Sequence, residues 1–211
     1  MMKNKKSGEF ESKTENKVIG WGMTSSETQL FFKSLGKKVV TFIGYSADYE
    51  DKKAMLKIVE TVLLEYAPES TIINIGATMG GIGAAYPIAK SMGFITTGIV
   101  SSIAIEYLED ISTAVDHICY VTDNQWGGKM PNSSDLSPTS QAMVACSDIL
   151  IGIGDGEIGR DEMIAGRELG KPVRFYPAER SHQYLIRRSQ RLNLAPPESF
   201  LGEAHEEFAH E

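Results

Sequence analysis

The sequence predicts an α/β protein of the doubly wound type, built on a mostly parallel sheet of about six strands. Two patterns lead to this prediction. Six short apolar runs alternate along the chain with segments in which apolar residues recur every three or four positions, the spacing of amphipathic helices. Within the runs, apolar residues occupy consecutive positions, as in parallel strands that are buried on both faces. Helices are therefore expected on both faces of the sheet.

Each element can be placed from its residues. The predicted strands are residues 37–46, 70–78, 94–102, 116–123, 148–154 and 171–178, and the predicted helices are residues 48–68, 80–93, 103–113, 137–147, 160–170 and 179–193. Asp48 is the expected N-cap of the first helix, because a carboxylate can accept the free N–H groups of a first turn. Pro87 is awkward within the second helix unless it lies in the first turn, where backbone N–H groups lack intrahelical partners. The alternation is that of a Rossmann-like fold.

The chain has 211 residues, 42% of them hydrophobic, which suits one domain of ordinary size. Residues 1–17 are polar and predict a flexible tail. Residues 18–36 mix aromatic and polar residues and predict a segment that packs on the domain. Residues 37–195 hold the six βα units of the predicted single Rossmann-like nucleotide-binding domain, and residues 196–211 predict an acidic, solvated tail.

Composition and charge narrow the classes of function. The net charge is −7, which does not predict a broad surface for a nucleic-acid polymer. Cys119 and Cys146 lie in apolar stretches and are expected to be buried free thiols in a reducing compartment. No apolar run approaches the roughly 20 residues of a membrane-spanning helix, and the first residues lack the apolar core of a secretory signal. The expected location is the cytoplasm, with no membrane partner and no metal site.

Small, polar and glycine residues follow the predicted strands, at the edge where a doubly wound sheet binds its ligands. The residues expected to bind a ligand there are Gly44, Tyr45, Ser46, Thr78, Met79, Gly80, Gly81, Gly83, Ser101, Trp126, Thr139, Ser140, Gly154, Gly156 and Glu157. For any single turn, chain reversal and helix capping alone also favour Gly, Ser and Asp. Five such turns at one edge, two of them rich in glycine, favour a site.

Two of these turns are rich in glycine, "GATMGGIG" at residues 76–83 and "GIGDGEIGRDE" at residues 152–162. Neither carries the Lys-Ser/Thr of a P-loop or a G-x-G-x-x-G. In the first turn, glycines followed by a helix N-terminus would suit a phosphate. In the second, the carboxylates of Asp155 and Glu162 indicate that something other than phosphate meets the turn, although helix N-termini also favour acidic residues for electrostatic reasons alone.

Trp126 lies in a loop beside two glycines. A large aromatic ring in a polar loop is suited to stack on the flat base of a nucleotide. Packing against the protein itself is an equally open alternative.

The stretch "SDILIGIGDGEIGRDE", followed by "GKPV", resembles the Rossmann-like superfamily of the LOG proteins, often called SLOG and formerly mislabelled lysine decarboxylases. LOG enzymes carry P-G-G-x-G-T-x-x-E after a strand and release a base from a nucleoside 5′-monophosphate. In this register Gly154 stands at the proline, Asp155 and Gly156 at the glycine pair, Ile158 and Gly159 at Gly-Thr, and Glu162 at the glutamate. The upstream arginine of the family falls near Thr139, which leaves Arg160 as a candidate to replace it.

The resemblance implies a homodimer that acts at the N-glycosidic bond of a nucleotide, without a cofactor and with Glu162, Asp155 and Arg160 as the catalytic candidates. A non-catalytic sensor that holds a nucleotide-like small molecule stays open, because several motif residues of the family are replaced. A dinucleotide-dependent oxidoreductase is disfavoured, since no G-x-G-x-x-G follows the first predicted strand.

Overall fold

The computed structural model describes residues 17–209, so the predicted N-terminal tail lies outside the described residues except for Lys17. The strands of this part of the chain are β1 (Lys17–Met23), β2 (Lys38–Gly44), β3 (Thr71–Ile75), β4 (Ile95–Ser101), β5 (His117–Val121), β6 (Ile149–Ile153) and β7 (Val173–Tyr176). They form one seven-stranded sheet in which every strand pairing is parallel. The prediction of a doubly wound, Rossmann-like α/β fold is confirmed.

The order of the strands places the ligand edge. Across the sheet the order is β1-β5-β4-β3-β2-β6-β7. The chain winds in one direction from β2 to β5 and then returns to β6, on the other side of β2. The winding therefore reverses between β2 and β6, and in open parallel sheets a crevice for ligands forms at this point, outside the carboxyl ends of the strands.

Helices cover both faces of the sheet. They are α1 (Ser25–Ser34), α2 (Lys52–Leu63), α3 (Ala85–Ser91), α4 (Pro138–Cys146), α5 (Glu157–Glu168), α6 (His182–Arg191) and α7 (Glu203–Phe208), with 3₁₀ segments at Gly81–Ala84 and Ser102–Asp110. One face packs against α2 and α3, and the other against α1, α4 and α5. The helix α3 begins later than predicted, at Ala85, so that Pro87 is its third residue and lies in the first turn, where a proline is tolerated.

Strand β2 shows why the apolar runs are continuous. Val40 and Phe42 belong to the core under α2 and α3, whereas Val39 and Ile43 belong to the cores on the opposite face. Side chains alternate between the faces of a strand, and both faces of β2 are covered. Apolar residues are therefore required at consecutive positions.

Three buried polar side chains cross the middle of the sheet in register. Thr41 of β2 pairs with Asn74 of β3, which pairs with Thr97 of β4. The Thr97 hydroxyl donates to Asn74 Oδ1 at 3.0 Å, and Asn74 Nδ2 donates to Thr41 Oγ1 at 3.3 Å. A shift of one residue would turn these groups to the other face and leave them unpaired, so the row specifies the strand register.

The structure differs from the sequence-based expectation in three places. Residues 18–36 supply β1 and α1, and thus extend the sheet itself. The N-cap of α2 is Asp51, whose carboxylate accepts from the backbone N–H of Ala54 at 2.8 Å; Asp48 lies too far upstream, because Tyr49 first pairs with Arg180 in an isolated bridge. Within residues 196–211, the described part contains α7, in which Ala204 and Phe208 are buried.

The burial and the free state predicted for the two cysteines are confirmed. Cys119 and Cys146 are both free and buried, and burial raises the pKa of each thiol to about 12. Between residues 17 and 209, the helices are all too short or too polar to cross a membrane.

Candidate functional site

The turn after β6 lies at the point where the winding reverses. Asp155 takes φ +116°, a left-handed conformation that is costly for a residue with a side chain. Its Oδ1 accepts from the N–H of Gly156 at 2.6 Å. A Cβ on Gly159 would stand only 1.8 Å from its Oδ2, so the carboxylate needs the glycine at that position. Burial raises the pKa of Asp155 to about 7, although Arg180 nearby opposes the shift. The backbone N–H of Gly156, the N-cap of α5, thus holds the Asp155 carboxylate in the turn.

A C-terminal strap, residues 199–208, closes over this turn. The N–H of Gly202 donates to Tyr45 Oη at 2.8 Å, and the N–H of Ala204 donates to the carbonyl oxygen of Asp155 at 3.3 Å. A Cβ on Gly202 would stand only 2.0 Å from that same carbonyl oxygen. Farther out, the ring of Phe200 stacks on His182 with centroids 3.8 Å apart. The chain itself therefore covers the crevice between β2 and β6.

The strap changes the surroundings of several predicted ligand residues. Tyr45 is buried, and its hydroxyl is shared between Gly202 and the carbonyl oxygen of Ala178. A Cβ on Gly154 would meet the Tyr45 ring at 2.5 Å, and one on Gly44 would meet Tyr49 Oη at 2.1 Å. These residues lie against other parts of the chain rather than against open space.

Glu162 lies on the second turn of α5, beneath the loop that joins β5 to α4. Its Oε1 accepts from Ser140 Oγ at 2.6 Å, and Ser140 Oγ accepts from the N–H of Gly128 at 2.7 Å. The side chain is 5% exposed. Burial, followed by the charges of Asp155 and Asp161, raises the pKa of Glu162 to about 8. At neutral pH this carboxyl group is therefore mostly protonated.

The cover over Glu162 is the β5–α4 loop, residues 122–137. A Cβ on Gly127 would stand 2.9 Å from Ser140 Oγ and 3.0 Å from Ile158, so the glycine lets the loop lie directly on α5. Asp123 ties the loop to α4: one carboxylate oxygen accepts from Gln125 N at 3.0 Å and the other from Thr139 N at 2.9 Å. The loop is thus anchored at both ends.

The same loop presents Trp126 to solvent. Trp126 is 51% exposed and Tyr107, on the 3₁₀ segment after β4, is 43% exposed. Their ring centroids lie 5.7 Å apart with planes at 52°. Met79, 57% exposed, is tied to the Tyr107 segment by its N–H, which donates to Asp110 O at 2.8 Å. We call Tyr107 and Trp126 the aromatic pair.

The glycine-rich turn after β3 folds against its own backbone. Gly81 takes φ +53°, and a Cβ there would stand 1.9 Å from the carbonyl oxygen of Tyr45. A Cβ on Gly83 would stand 1.8 Å from the carbonyl oxygen of Thr78. The N–H of Ile82 donates to Tyr45 O at 2.8 Å and that of Gly83 to Gly80 O at 2.9 Å. Close packing therefore accounts for these glycines, and two N–H groups expected to face a phosphate are already bonded.

Two cations converge at the start of α5. Arg160 donates through Nε and Nη2 to Asp161 Oδ1, at 3.2 and 3.0 Å. Lys129, from the β5–α4 loop, brings its Nζ to 3.6 Å from the same oxygen. Asp161 is buried, whereas both cationic side chains are partly exposed. Asp161 is therefore paired with two cations, one from the loop and one from the helix.

Most of the predicted site residues thus lie in two groups. Trp126, Thr139, Ser140, Glu157, Arg160 and Glu162 lie around the β5–α4 loop and the first turns of α5, and Gly44, Tyr45, Gly154, Asp155 and Gly156 lie at or near the strap. The remaining residues belong to neighbouring turns: Thr78, Met79, Gly80, Gly81 and Gly83 after β3, Ser46 after β2, and Ser101, whose hydroxyl is buried against Asp123 O.

Sequence reasoning overlooked Tyr107, Lys129, Arg180 and Gly202. Tyr107 lies in a stretch with helical periodicity, a pattern that does not indicate a ligand site. Lys129 directly follows two glycines in the Trp126 loop, and this proximity was the available signal.

Within residues 17–209, no three His, Cys, Asp or Glu side chains are grouped so that they could hold a metal ion.

No protein-family model matches the chain, and no curated protein matches it. Among solved structures, it is similar to the Moco carrier protein of Chlamydomonas reinhardtii, with 22% sequence identity over 66% of this chain and 76% of that chain and a TM-score of 0.47. The molybdenum cofactor binding protein of the phototrophic bacterium Rippkaea orientalis gives the same values, 22%, 66%, 76% and 0.47. DNA processing protein A of Streptococcus pneumoniae is 19% identical over 67% of this chain and 50% of that chain, with a TM-score of 0.45. The similarity is one of fold.

Proposed function

We propose that this protein binds a nucleotide-like small molecule at the carboxyl edge of its sheet, with the flat ring of the ligand stacked on the aromatic pair. The observation that carries the proposal is the exposure of Trp126 and Tyr107 side by side at this edge, 51% and 43%. Large aromatic side chains normally bury most of their surface, and stacking on a heterocycle would bury these two.

The open space nearby supports this position. Gly76 follows β3 at the same edge, and a Cβ there would meet nothing within 4 Å. The crevice between β2 and β6, in contrast, is occupied by the strap. The ligand is therefore expected over the ends of β3, β4 and β5, and the β5–α4 loop would form one wall of its site.

The state of Glu162 favours binding without turnover. A carboxylate that stabilises a cationic, oxocarbenium-like sugar must be ionised and must face the ligand. Glu162 has a pKa of about 8 and lies beneath the β5–α4 loop. We therefore favour a carrier or sensor of the LOG-like type, expected as a homodimer in the cytoplasm, over a LOG-like hydrolase.

Asp155 supports a second candidate function, the cleavage of an N-glycosidic bond. Its pKa of about 7 suits a general acid or base at neutral pH. If the strap lifts, Asp155 could protonate the leaving base or activate water during cleavage of an N-glycosidic bond, with Arg160 and Glu162 nearby on α5.

Ligand binding tests the proposal directly. The protein is titrated with a panel of nucleosides and nucleoside 5′-monophosphates by calorimetry, and the mixtures are then analysed for free base. We expect at least one member to bind and to be recovered intact. Trp126→Ala should weaken its binding by roughly 5- to 150-fold, since stacking contributes about 1–3 kcal/mol per base.

Trp21→Ala is the matched control. Trp21, on β1, is 55% exposed like Trp126 and stacks on another aromatic ring, that of Tyr120 on β5. It should leave the affinity unchanged. The proposal is overturned if no member of the panel binds to folded protein, or if Trp126→Ala binds as tightly as the wild type. Release of free base that stops with Asp155→Asn would instead establish the second function.

A further inference from the structure

We propose that the outward face of helix α6 binds an acidic, amphipathic helical segment of a partner protein. The inference rests on four residues of that helix, Tyr184, Arg187, Arg188 and Arg191, which we call the arginine face. It is independent of the proposed ligand site, and it gives a function to a helix none of whose ten residues is buried.

Helix α6 lies on the domain without entering its core. None of its residues is buried, whereas α1, α2, α4 and α5 each bury at least two. Within α6 the half-buried residues are His182, Leu185 and Ser189, and their spacing of three and four places them on one side of the helix, toward the domain. The opposite side of α6 therefore faces away from the domain.

The arginine face occupies this outward side. Its four residues stand at positions i, i+3, i+4 and i+7, the spacing of one face of an α-helix, and all four are exposed. At about 1.5 Å of rise per residue the face extends for roughly 10 Å along the helix. Three positive charges are thus concentrated on two helical turns.

The charges of the arginine face have no acidic partner among the described residues. The Arg187 side chain donates to the uncharged Oε1 of Gln183 at 3.3 Å. Arg188 and Arg191 form no ion pair and no side-chain hydrogen bond between residues 17 and 209. Residues 180–197 contain four arginines and no Asp or Glu, in a chain of net charge −7. Like charges at these spacings weaken a helix, and an anionic partner would offset that cost.

The helix dipole explains part of this pattern. Arg188 and Arg191 lie in the last turn of α6, where the free carbonyl groups favour cations. The dipole does not account for Arg187, or for the exposure of Tyr184 and Leu192, 43% and 49%. Tyr184, Arg188 and Leu192 follow one another at intervals of four residues and form one ridge. A cation between two exposed apolar groups fits a partner that offers carboxylates and apolar side chains together.

The charge of the whole chain favours a short protein segment over a membrane or a nucleic-acid polymer. Either of these would present anions over a wide area and would bring the acidic remainder of the chain within the roughly 8–10 Å over which exposed charges interact. A helical segment as long as α6, about 15 Å, would contact the arginine face alone. Tyrosine and arginine are also among the residues that contribute most at the centres of protein interfaces.

Two synthetic, alanine-rich helical peptides test the proposal. One carries glutamate at i, i+3, i+4 and i+7 with leucine beside these positions, and in the other glutamine replaces each glutamate. Binding of each labelled peptide to the protein is measured by fluorescence anisotropy at two salt concentrations. We expect the glutamate peptide to bind at least about tenfold more tightly than the glutamine peptide, and to lose this advantage at high salt.

Substitutions on α6 should reduce this binding. The triple variant Arg187→Gln/Arg188→Gln/Arg191→Gln should bind the glutamate peptide at least about tenfold more weakly than the wild type, and no better than it binds the glutamine peptide. Tyr184→Ala should weaken the binding of both peptides, because it removes an apolar contact that does not depend on charge.

The matched control is Lys52→Gln/Lys53→Gln/Lys57→Gln. It removes the same number of positive charges from exposed positions of another helix, α2, and should bind both peptides as the wild type does. All the substituted side chains are exposed, so the melting temperature of each variant should stay near that of the wild type.

The proposal is overturned if the glutamate peptide does not bind the folded wild-type protein, or if it binds no more tightly than the glutamine peptide. It is also overturned if the arginine variant keeps the full affinity, or if the lysine variant loses as much affinity as the arginine variant, since the attraction would then be diffuse.

Two further measurements identify other occupants of the arginine face. If sedimentation shows that the wild type self-associates and that the arginine variant does not, the face binds a second copy of this chain. If vesicles of phosphatidylserine and phosphatidylcholine in equal parts, or a DNA duplex, bind more tightly than the glutamate peptide and require the three arginines, the face binds that polyanion. Either result would replace the acidic protein segment and overturn the proposal.

Discussion

The free energy of unfolding of the wild-type protein should fall as the pH rises, because of Glu162. The variant Glu162→Gln should not show this fall. Glu162 is buried and accepts from Ser140, and its pKa is raised from 4.5 to about 8. Between these two pH values the folded protein holds a proton that the unfolded chain releases. The stabilising contribution is therefore fully present below pH 4.5 and is lost progressively up to about pH 8.

The size of the effect follows from this window. It spans about 3.5 pH units, and each unit corresponds to about 1.4 kcal/mol, so the full loss is about 5 kcal/mol. Glutamine resembles the protonated carboxyl group in shape and can still accept from Ser140, and it does not titrate. Asp155, whose pKa of about 7 is also raised, acts in the same direction in both proteins and largely cancels in the comparison.

The assay is urea denaturation of the wild type and the variant at intervals from pH 5 to pH 9. We expect the unfolding free energy of the wild type to fall relative to that of Glu162→Gln by about 1.4 kcal/mol per pH unit up to about pH 8, and then to run parallel to it. Glu168→Gln, on the exposed side of the same helix, is the matched control. A difference between wild type and Glu162→Gln that stays constant from pH 5 to pH 8 would refute the reasoning.

Three further substitutions test the packing by thermal and urea denaturation. Gly81→Ala should destabilise by more than about 1 kcal/mol, because its Cβ would stand 1.9 Å from a carbonyl oxygen at φ +53°; an unchanged melting temperature would contradict this. Gly202→Ala should cost about 1–3 kcal/mol, since its Cβ meets Asp155 O at 2.0 Å, and full stability would mean that the strap does not hold the turn. Arg174→Ala breaks an exposed pair with Glu65 and should cost less than about 1 kcal/mol; a larger loss would indicate a further role.

The central sheet could be predicted from sequence because burial on both faces leaves a plain signal. All six predicted strands are present, as β2 to β7. The edge strand β1 was missed because its sequence, KVIGWGM, contains two glycines, and none of its residues is fully buried. Its pairing with β5 shifts register between Val18 and Gly20 and again between Trp21 and Met23, as expected of a strand that only one neighbour holds.

The edge that carries the candidate site could also be predicted, since topology alone brings the carboxyl ends of parallel strands together. The sequence could not predict which of these turns remain open to solvent and which are covered by other parts of the chain. The strap that covers Asp155 lies more than forty residues farther along the chain, in a segment whose acidic composition is typical of a tail. Only the spacing of Ala204 and Phe208, four residues apart on one helical face, signals that it packs.

The glycine-rich turn after β3 shows a second limit of sequence reasoning. Glycines there are compatible with a phosphate cradle and with close backbone packing, because both need the absence of a Cβ. The choice depends on where the N–H groups point. Those of Ile82 and Gly83 point to carbonyl oxygens of Tyr45 and Gly80, a fact of three-dimensional structure that spacing does not encode.

The positions of the two covered carboxyl groups link the choice between binding and catalysis to motion of the chain. Asp155 lies beside the strap and Glu162 under the β5–α4 loop, and burial raises the pKa of each carboxyl group. Lifting a cover to admit a substrate would rehydrate the carboxyl group beneath it and return its pKa toward the ordinary range. Acid–base chemistry at this turn therefore requires a substrate that replaces the cover and keeps water out. Binding on the aromatic pair requires no such exchange, and for this physical reason it is the simpler function of the closed structure.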